Sequence, residues 1–436
     1  MKPSASRKKT AVIGAGWAGL SAAVRLAGRA DVTLFEAGKL AGGRARALGG
    51  DAAGFEFLDN GQHILIGAYR GVLGLLRQLG VREEDAFLRL PLQWHMADGL
   101  RFQTASLPAP LHIAAGIFKA QNLRFSEKLK LVNDMHALRQ YHASPLPDMA
   151  VGEWLARRNV PRKLVMQFWQ PLVWGALNTP LETASVEILC NVLSDGVWAD
   201  KAGSDYLLPR RDLGAILPEP ALDFLRRHGA SVRLETRAGR LNTLPDGKVS
   251  VGGETFDAVV LAVAPYHAAA LMPSETPEFI QTAYRNIRYH AITTVYLRYA
   301  ETVHLPAPLT GLAAGCAQWL VHRAALGGSA HEIAAVVSLS DRNGAYPAQE
   351  WAQRVHADVK RLCPYLGEPL SARVITEKRA TAASVVDRVL PDTAWLHHRR
   401  IYPAGDYLHP RYPATLEAAV QSGLAAADVC MADLGG

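Results

Sequence analysis

The chain is poor in cysteine, with four in 436 residues: Cys190, Cys316, Cys363 and Cys430, none at paired spacing. That excludes a disulfide framework and a thiolate zinc site, and it makes a reducing compartment the natural expectation. No run reaches the roughly 18 apolar residues that span a bilayer. The start, MKPSASRKKTAVIGAG, joins a basic head to an apolar run, but that run is only Ala11 to Ile13 before glycines intervene. A signal peptide is not indicated, so a short disordered tail followed by a strand is expected. Internal repeats and low-complexity tracts are absent too. Charge is only mildly one-sided, 47 basic against 40 acidic residues. Such an excess assists contact with an anionic lipid or cofactor without defining one. What remains is an ordinary globular composition, 49% apolar and 20% charged, long enough for two or three domains.

Residues 10–36 read TAVIGAGWAGLSAAVRLAGRADVTLFE. Thr10 to Ile13 predict a buried strand, Leu20 to Leu26 a helix of small apolar residues, and Asp31 to Phe35 a second strand. Between them Gly14-Ala15-Gly16 and Gly19 match G-x-G-x-x-G. Gly14 permits the tight turn, Gly16 lets a pyrophosphate approach the backbone, and Gly19 lets helix and strand pack closely. The helix N-terminus offers free N–H groups to phosphates. Glu36, about 20 residues on, can accept from ribose hydroxyls, and its charge argues against a 2′-phosphate. A lone glycine triad says little. The strand–turn–helix–strand setting with its terminal acid says much more.

Leu40 to Arg46 read LAGGRAR, in which Gly42 and Gly43 leave the backbone bare and Arg44 adds a cation. This element resembles the second fingerprint of the flavoprotein group that includes amine oxidases, protoporphyrinogen oxidases and carotenoid desaturases. The resemblance implies that the dinucleotide is FAD. It also explains the C-terminal stretch AGDYLHPRYPATLEAAVQSG, residues 404–423. In that group a Gly-Asp pair, here Gly405 and Asp406, binds the ribityl chain. The following helix, opened here by Thr415, Leu416 and Glu417, points its N-terminus at the flavin. Carboxylate and helix N–H groups suit ribityl hydroxyls and the negative charge of a reduced flavin.

The expected class is therefore α/β, with a discontinuous Rossmann-like FAD-binding domain and a mixed α+β substrate domain. The first takes residues 1–79, 212–268 and 390–436. The resemblance returns the middle piece to the nucleotide, with the backbone at Ala238 meeting the adenine. The second takes 80–211 and 269–389. Helices are expected at Arg124 to Tyr141, Val151 to Arg158 and Lys163 to Leu177, and strands at Ala291 to Arg298 and Ile333 to Leu339. Within it Leu107 to Lys119 is apolar and followed by Lys119, Arg124, Lys128 and Lys130. The segment 107–130 is thus a candidate for the membrane interface as well as for a buried helix. FWQPLVWGALNTP, residues 168–180, suits either a core or the wall of an apolar tunnel.

Several stretches together are specific: LDNGQHILIGAYRG, FWQPLVWGALNTP, SDYLLPRRDL, ITTVYLRY, EKRAT and the C-terminal segment. They resemble, in this order, the squalene-associated FAD-dependent desaturase-like family, the hydroxysqualene dehydroxylases of bacterial hopanoid biosynthesis. The resemblance runs from about Thr10 to Ala426. Departures are Tyr402-Pro403 before Ala-Gly-Asp and Ala418 where glycine is common. It implies an enzyme that reduces a C30 isoprenoid alcohol with electrons from an unidentified donor. The want of a signal peptide or spanning run leads to the expectation of a cytoplasmic protein, segment 107–130 to one peripheral on the inner membrane face, and no nucleic acid is expected. In the wider group the strand carrying Gln62 and His63 passes the flavin ring, so both are expected at the site. The alcohol leaves only after protonation. His63 is the first expected proton donor, with Asp205, Tyr407 and His409 behind it. The rival enzyme reading is a phytoene-type desaturase; an amine oxidase would need an aromatic cage that is not evident. A binding protein like the GDP-dissociation inhibitors shares the fold without redox chemistry, but the intact FAD pattern opposes it.

Overall fold

The computed structural model describes residues 7–48, 54–144 and 146–435, so the expected tail at 1–6 lies outside the described residues. The chain opens with β1 (Lys9–Ile13), four of whose five residues are buried. Gly14 turns it into α1 (Trp17–Leu26), whose residues apart from Arg25 are all buried, and β2 (Asp31–Phe35) follows. Among the next helices, α2 (Leu111–Phe118), α3 (Phe125–His142), α4 (Gln170–Leu177) and α5 (Val186–Leu193) bear on the site. The chain then returns through β3 (Ser231–Arg233) and β4 (Ala258–Leu261). A second sheet takes β5 (Tyr289–Arg298), β6 (Leu309–Gly311), β7 (Trp319–His322), β8 (Glu332–Ser338) and, after α6 (Ala348–Leu362), β9 (Ser371–Ala382). Last come β10 (Ile401–Pro403) and α7 (Leu416–Asp433).

The first sheet is wholly parallel in the order β10-β4-β1-β2-β3. Parallel strands buried on both faces read as continuous apolar runs, which is what VVL in β4 and AVI in β1 are. No single stretch of chain supplies the sheet: its strands come from the start, the middle and the end. One face is covered by α1, with α7 lying across it. A Cβ at Gly423 would sit 2.0 Å from the Ala18 carbonyl oxygen, so the two helices approach this closely only because the residue is glycine.

The second sheet is antiparallel, in the order β6-β7-β8-β5-β9. Its strands alternate faces with the period of two expected of a sheet buried on both sides. Val295, Leu297 and Val337 join Trp351, Val355 and Val359 of α6 in one core, while Tyr296, Ala334 and Trp319 face the helical part in another. All four cysteines are free. Among the described residues no helix is long and apolar enough to cross a membrane.

The helix expected over Lys163 to Leu177 is interrupted. A short turn at Arg162–Leu164 leads into a π-helical turn at Val165–Trp169, and only then does α4 begin. The cause is local. Pro171 has no N–H to give the carbonyl of Gln167 four residues back and crowds it. The Trp94 indole N–H takes that oxygen instead, at 2.8 Å. A second π turn, Ser194–Trp198, extends α5. Both turns border the site, where such insertions concentrate.

Candidate active site and cofactor cleft

One cavity of about 850 Å³ runs from the glycine turn after β1, along the ends of the parallel strands, and into the space between α4, α5 and the second sheet. At its first end the glycines have distinct duties. Gly14 has φ +99°, and a Cβ there would lie 2.4 Å from the Ala262 carbonyl oxygen. A Cβ at Gly19 would lie 1.8 Å from the oxygen of Gly14, whereas one at Gly16 would meet only Gly43 Cα, at 3.9 Å. The Glu36 carboxylate accepts from the N–H groups of Ala15 at 2.8 Å and Gly38 at 2.7 Å. Gly42 donates to the Ala15 carbonyl at 2.7 Å, which holds the two glycine loops against each other. Arg237 and Ala238 line the same end.

Further along, Arg44 donates to Asp406 and, at 2.9 Å, to the Ala380 carbonyl. Burial disfavours the Arg44 charge, but the Asp406 carboxylate outweighs that and leaves its pKa raised. Gly405 donates to Ser422 Oγ at 2.9 Å. Thr415 caps α7 by accepting from Ala418 N–H at 3.0 Å, and Thr415 and Leu416 face the cavity at the helix start. A bare-backbone cradle, an acid closing β2, a cation in mid-cleft and a capped helix N-terminus together fit a dinucleotide.

The wall beside this cleft is the segment 56–63. Glu56 N–H donates to Glu332 at 3.0 Å, Tyr296 Oη donates to the Asp59 carbonyl at 3.3 Å, and Gln62 N–H donates to Thr294 Oγ1 at 3.2 Å. Arg323, fully buried, donates to the Phe57 carbonyl and, at 3.4 Å, to Gln62 Oε1, with Glu332 3.5 Å away. Loop residues are thus held to the second sheet by groups remote in sequence.

The structure sorts the four expected proton donors. His63 lines the cavity, and its Nδ1 is 2.8 Å from the Gly61 carbonyl. A carbonyl only accepts, so Nδ1 carries the hydrogen. Burial, helped by Arg44 and opposed by the Gly61 bond, lowers its pKa to about 4. With the hydrogen on Nδ1 and burial opposing a second proton, Nε2 is placed as an acceptor. Tyr407 also faces the cavity, stacked edge-on against Tyr284 with its hydroxyl unpartnered, and burial raises its pKa well above the usual range. Asp205 is not brought to the site: its carboxylate turns to Arg89 at 3.1 Å. Nor is His409, whose Nε2 donates to Gln421 at 2.9 Å while Nδ1 accepts from Tyr412 N–H at 3.2 Å. Both ring nitrogens are committed to fold contacts.

Sequence reasoning passed over Asp59, which is 3% exposed. Burial first, and then nearby Asp212, raise its pKa to about 7, against a bond accepted from Leu213 N–H at 2.8 Å. Only its place before Asn60-Gly61-Gln62-His63 could have drawn attention to it.

The far end of the cavity is apolar. Trp94 meets Trp319 edge-on at 5.2 Å and Phe168 at 5.1 Å, with Phe102, Ile113 and Met135 alongside. Residues of 168–180 are therefore both core and tunnel wall, the two roles the stretch left open.

Fold and cleft together define an FAD-dependent oxidoreductase built from a dinucleotide-binding sheet and an apolar substrate chamber. The chain belongs to the flavin containing amine oxidoreductase family, whose profile matches residues 17–431. It is 30% identical to the hydroxysqualene dehydroxylase of Rhodopseudomonas palustris, over 98% of this chain and 99% of that one. Identity to the enzyme of that name from Sinorhizobium fredii is 27%, over 98% and 99%. A 15-cis-phytoene desaturase of Arabidopsis thaliana matches at 26% over 55% of this chain and 44% of its own. Among solved structures, cyclohexylamine oxidase from Brevibacterium oxydans superposes with a TM-score of 0.70 at 15% identity, over 99% and 100% of the two chains. Putrescine oxidase bound to putrescine gives 0.69 at 17%, over 98% and 99%.

Proposed function

We propose that the protein reduces hydroxysqualene to squalene. The observation that carries this reading is the single cavity joining the dinucleotide cradle to a chamber of aromatic and aliphatic walls, in a chain whose full-length relatives are named for that reaction. When bound and reduced, FAD supplies a hydride. The chain's own residues do the rest. Gly14, Ala15, Gly16, Gly19 and Glu36 would receive the adenosine and pyrophosphate, with Ala238 at the adenine. Gly43 and Arg44 would hold the phosphates, Gly405 and Asp406 the ribityl chain, and Thr415 and Leu416 the flavin end, with Gln62 and His63 toward the ring. We assign this part to 1–79, 212–268 and 390–436, because the five parallel strands draw on all three. The hydroxyl takes a proton and leaves as water with the C–O electron pair, and the carbon accepts hydride. The aromatic chamber excludes water, which would otherwise restore the alcohol.

The test is an anaerobic incubation of FAD-loaded, reduced protein with hydroxysqualene. Squalene is expected to appear in the lipid extract as the flavin reoxidises. No squalene, with the flavin still reduced, would overturn the reading and favour desaturation of a phytoene-like substrate, to which the partial match with phytoene desaturases points.

The same reading places the enzyme on a bilayer. Leu107, Leu111, Phe118, Phe125 and Leu129 are exposed on α2, α3 and the turn before them, Phe125 to 68%. Lys119, Arg124 and Lys128 flank them, while Ile113 and Met135 on the same two helices line the cavity. Basic residues beside an anionic surface contribute about 1 kcal/mol each. The protein is expected to pellet with vesicles containing phosphatidylglycerol and much less with neutral phosphatidylcholine vesicles. Leu111→Glu with Phe125→Glu should abolish pelleting; unchanged pelleting would place the contact elsewhere.

A further inference from the structure

The EKRAT stretch is a motif whose chemistry the fold leaves unused. It lies at the end of β9, where pairing with β5 is irregular: Ile292 opposes Glu377, but His290 opposes Thr381. Two steps along β5 therefore face four along β9. Such bulges re-aim side chains and recur beside active sites. Around this one, the Ala380 carbonyl accepts from Arg44 at 2.9 Å, Thr381 Oγ1 accepts from Asn178 at 2.8 Å, and the Arg379 guanidinium lies 4.0 Å over the Tyr266 ring. The bulge is thus pinned on three sides, and Glu377 faces the cavity from it.

Four carboxylates line that cavity: Glu36, Asp195, Glu377 and Asp406. Glu36 holds two backbone N–H groups, Asp195 pairs with Arg411 at 2.7 Å, and Asp406 pairs with Arg44. Glu377 has only a long bond from Arg379 N–H, at 3.4 Å, and no ion-pair partner among the described residues. Glu36, Asp195 and Asp406 are therefore committed to partners of their own. Glu377 is the uncommitted carboxyl of the four, placed where it can meet a ligand in the chamber. His409 is committed to fold contacts, whereas Tyr407 also faces the cavity with an unpartnered hydroxyl, and the Glu377→Gln comparison below separates the two.

We propose that Glu377 is the acid that protonates the departing hydroxyl. This rests on the dehydroxylase reading. The carboxyl O–H bond breaks as the new O–H bond forms, and water leaves with the C–O electron pair. The carbon takes its hydride from reduced flavin, and the Glu377 carboxylate recovers a proton from solvent.

The test compares wild type with Glu377→Gln in single anaerobic turnovers of the reduced holoenzyme. General acids contribute about 10²–10⁴-fold, so the variant should lose a factor of that order while binding FAD as tightly and with the same visible spectrum. A second readout needs no turnover. An analogue with a protonated tertiary nitrogen in place of the carbinol carbon should bind wild type about tenfold or more tighter than the variant, followed by the flavin absorbance change. If wild type makes squalene and the variant makes it as fast, or if both bind the amine equally, Glu377 is not the acid and the dehydroxylase reading stands. If wild type makes no squalene, that reading fails and the assignment of Glu377 falls with it.

Discussion

Alanine at Gly16 is expected to leave the fold standing and strip it of FAD, whereas alanine at Gly19 should damage both. The difference lies in what each new methyl would touch. At Gly16 φ is −71°, open to any residue, and the nearest atom is Gly43 Cα at 3.9 Å. Nothing in the protein resists, so unfolding free energy should change little. The methyl instead takes the space between backbone and pyrophosphate. Losing that approach should weaken FAD by roughly 100-fold, or about 3 kcal/mol. At Gly19 the methyl would sit 1.8 Å from the Gly14 carbonyl oxygen and 3.1 Å from Ala262 Cβ. Backbone cannot swing away as a side chain does, so α1 must move off β1, at a cost of about 3 kcal/mol or more. Denaturant unfolding of the FAD-free proteins and FAD titration separate the two. Equal stability losses for both variants would refute this division of roles.

Asp59→Asn should stabilise the protein at pH 8 and do almost nothing at pH 4. The carboxyl's pKa rises from an ordinary value near 4 to about 7 on folding. A group whose pKa is raised by folding adds stability below its unfolded value and loses it as pH climbs through the folded one. Above pH 7 the wild type must ionise a buried carboxyl, and three pH units correspond to about 4 kcal/mol. Asparagine removes that cost and still accepts from Leu213 N–H. His63 works in the opposite sense: its pKa falls to about 4, so its contribution is present above pH 6.5 and lost as pH drops through 4. Between pH 4 and 6.5 the two offset each other in the wild type. Asp59→Asn should therefore also lose stability more steeply on acidification. Unfolding in denaturant at pH 4, 6 and 8 with saturating FAD checks both, and a pH-independent difference would show that Asp59 is not a buried acid.

The chain by itself determined its local elements. VIGAGWAG specifies a strand, a left-handed turn and a helix because each step depends on neighbours a few residues away. The acid closing β2, the Gly-Gly-Arg element and the Gly-Asp before α7 were legible for the same reason. Helix Phe125–His142 and strand Tyr289–Arg298 follow from periodicity, within a residue or two of expectation. Only the tertiary structure decided which polar groups meet. Asp205, His63 and His409 look alike as candidates on paper. Arg89, the Gly61 carbonyl, and the pair Gln421 and Tyr412 are what each is bonded to, and most of these partners cannot be inferred from the chain. The π turn before α4 likewise needed Trp94, some 70 residues away, to take the oxygen that Pro171 frees. Glu377 emerged only when β9 bulged against β5 and the other cavity carboxylates were seen to be paired. Backbone preference acts over a few residues and is written in their order. Protonation and hydrogen bonding depend on burial and on what lies within about 3 Å, and folding alone establishes both.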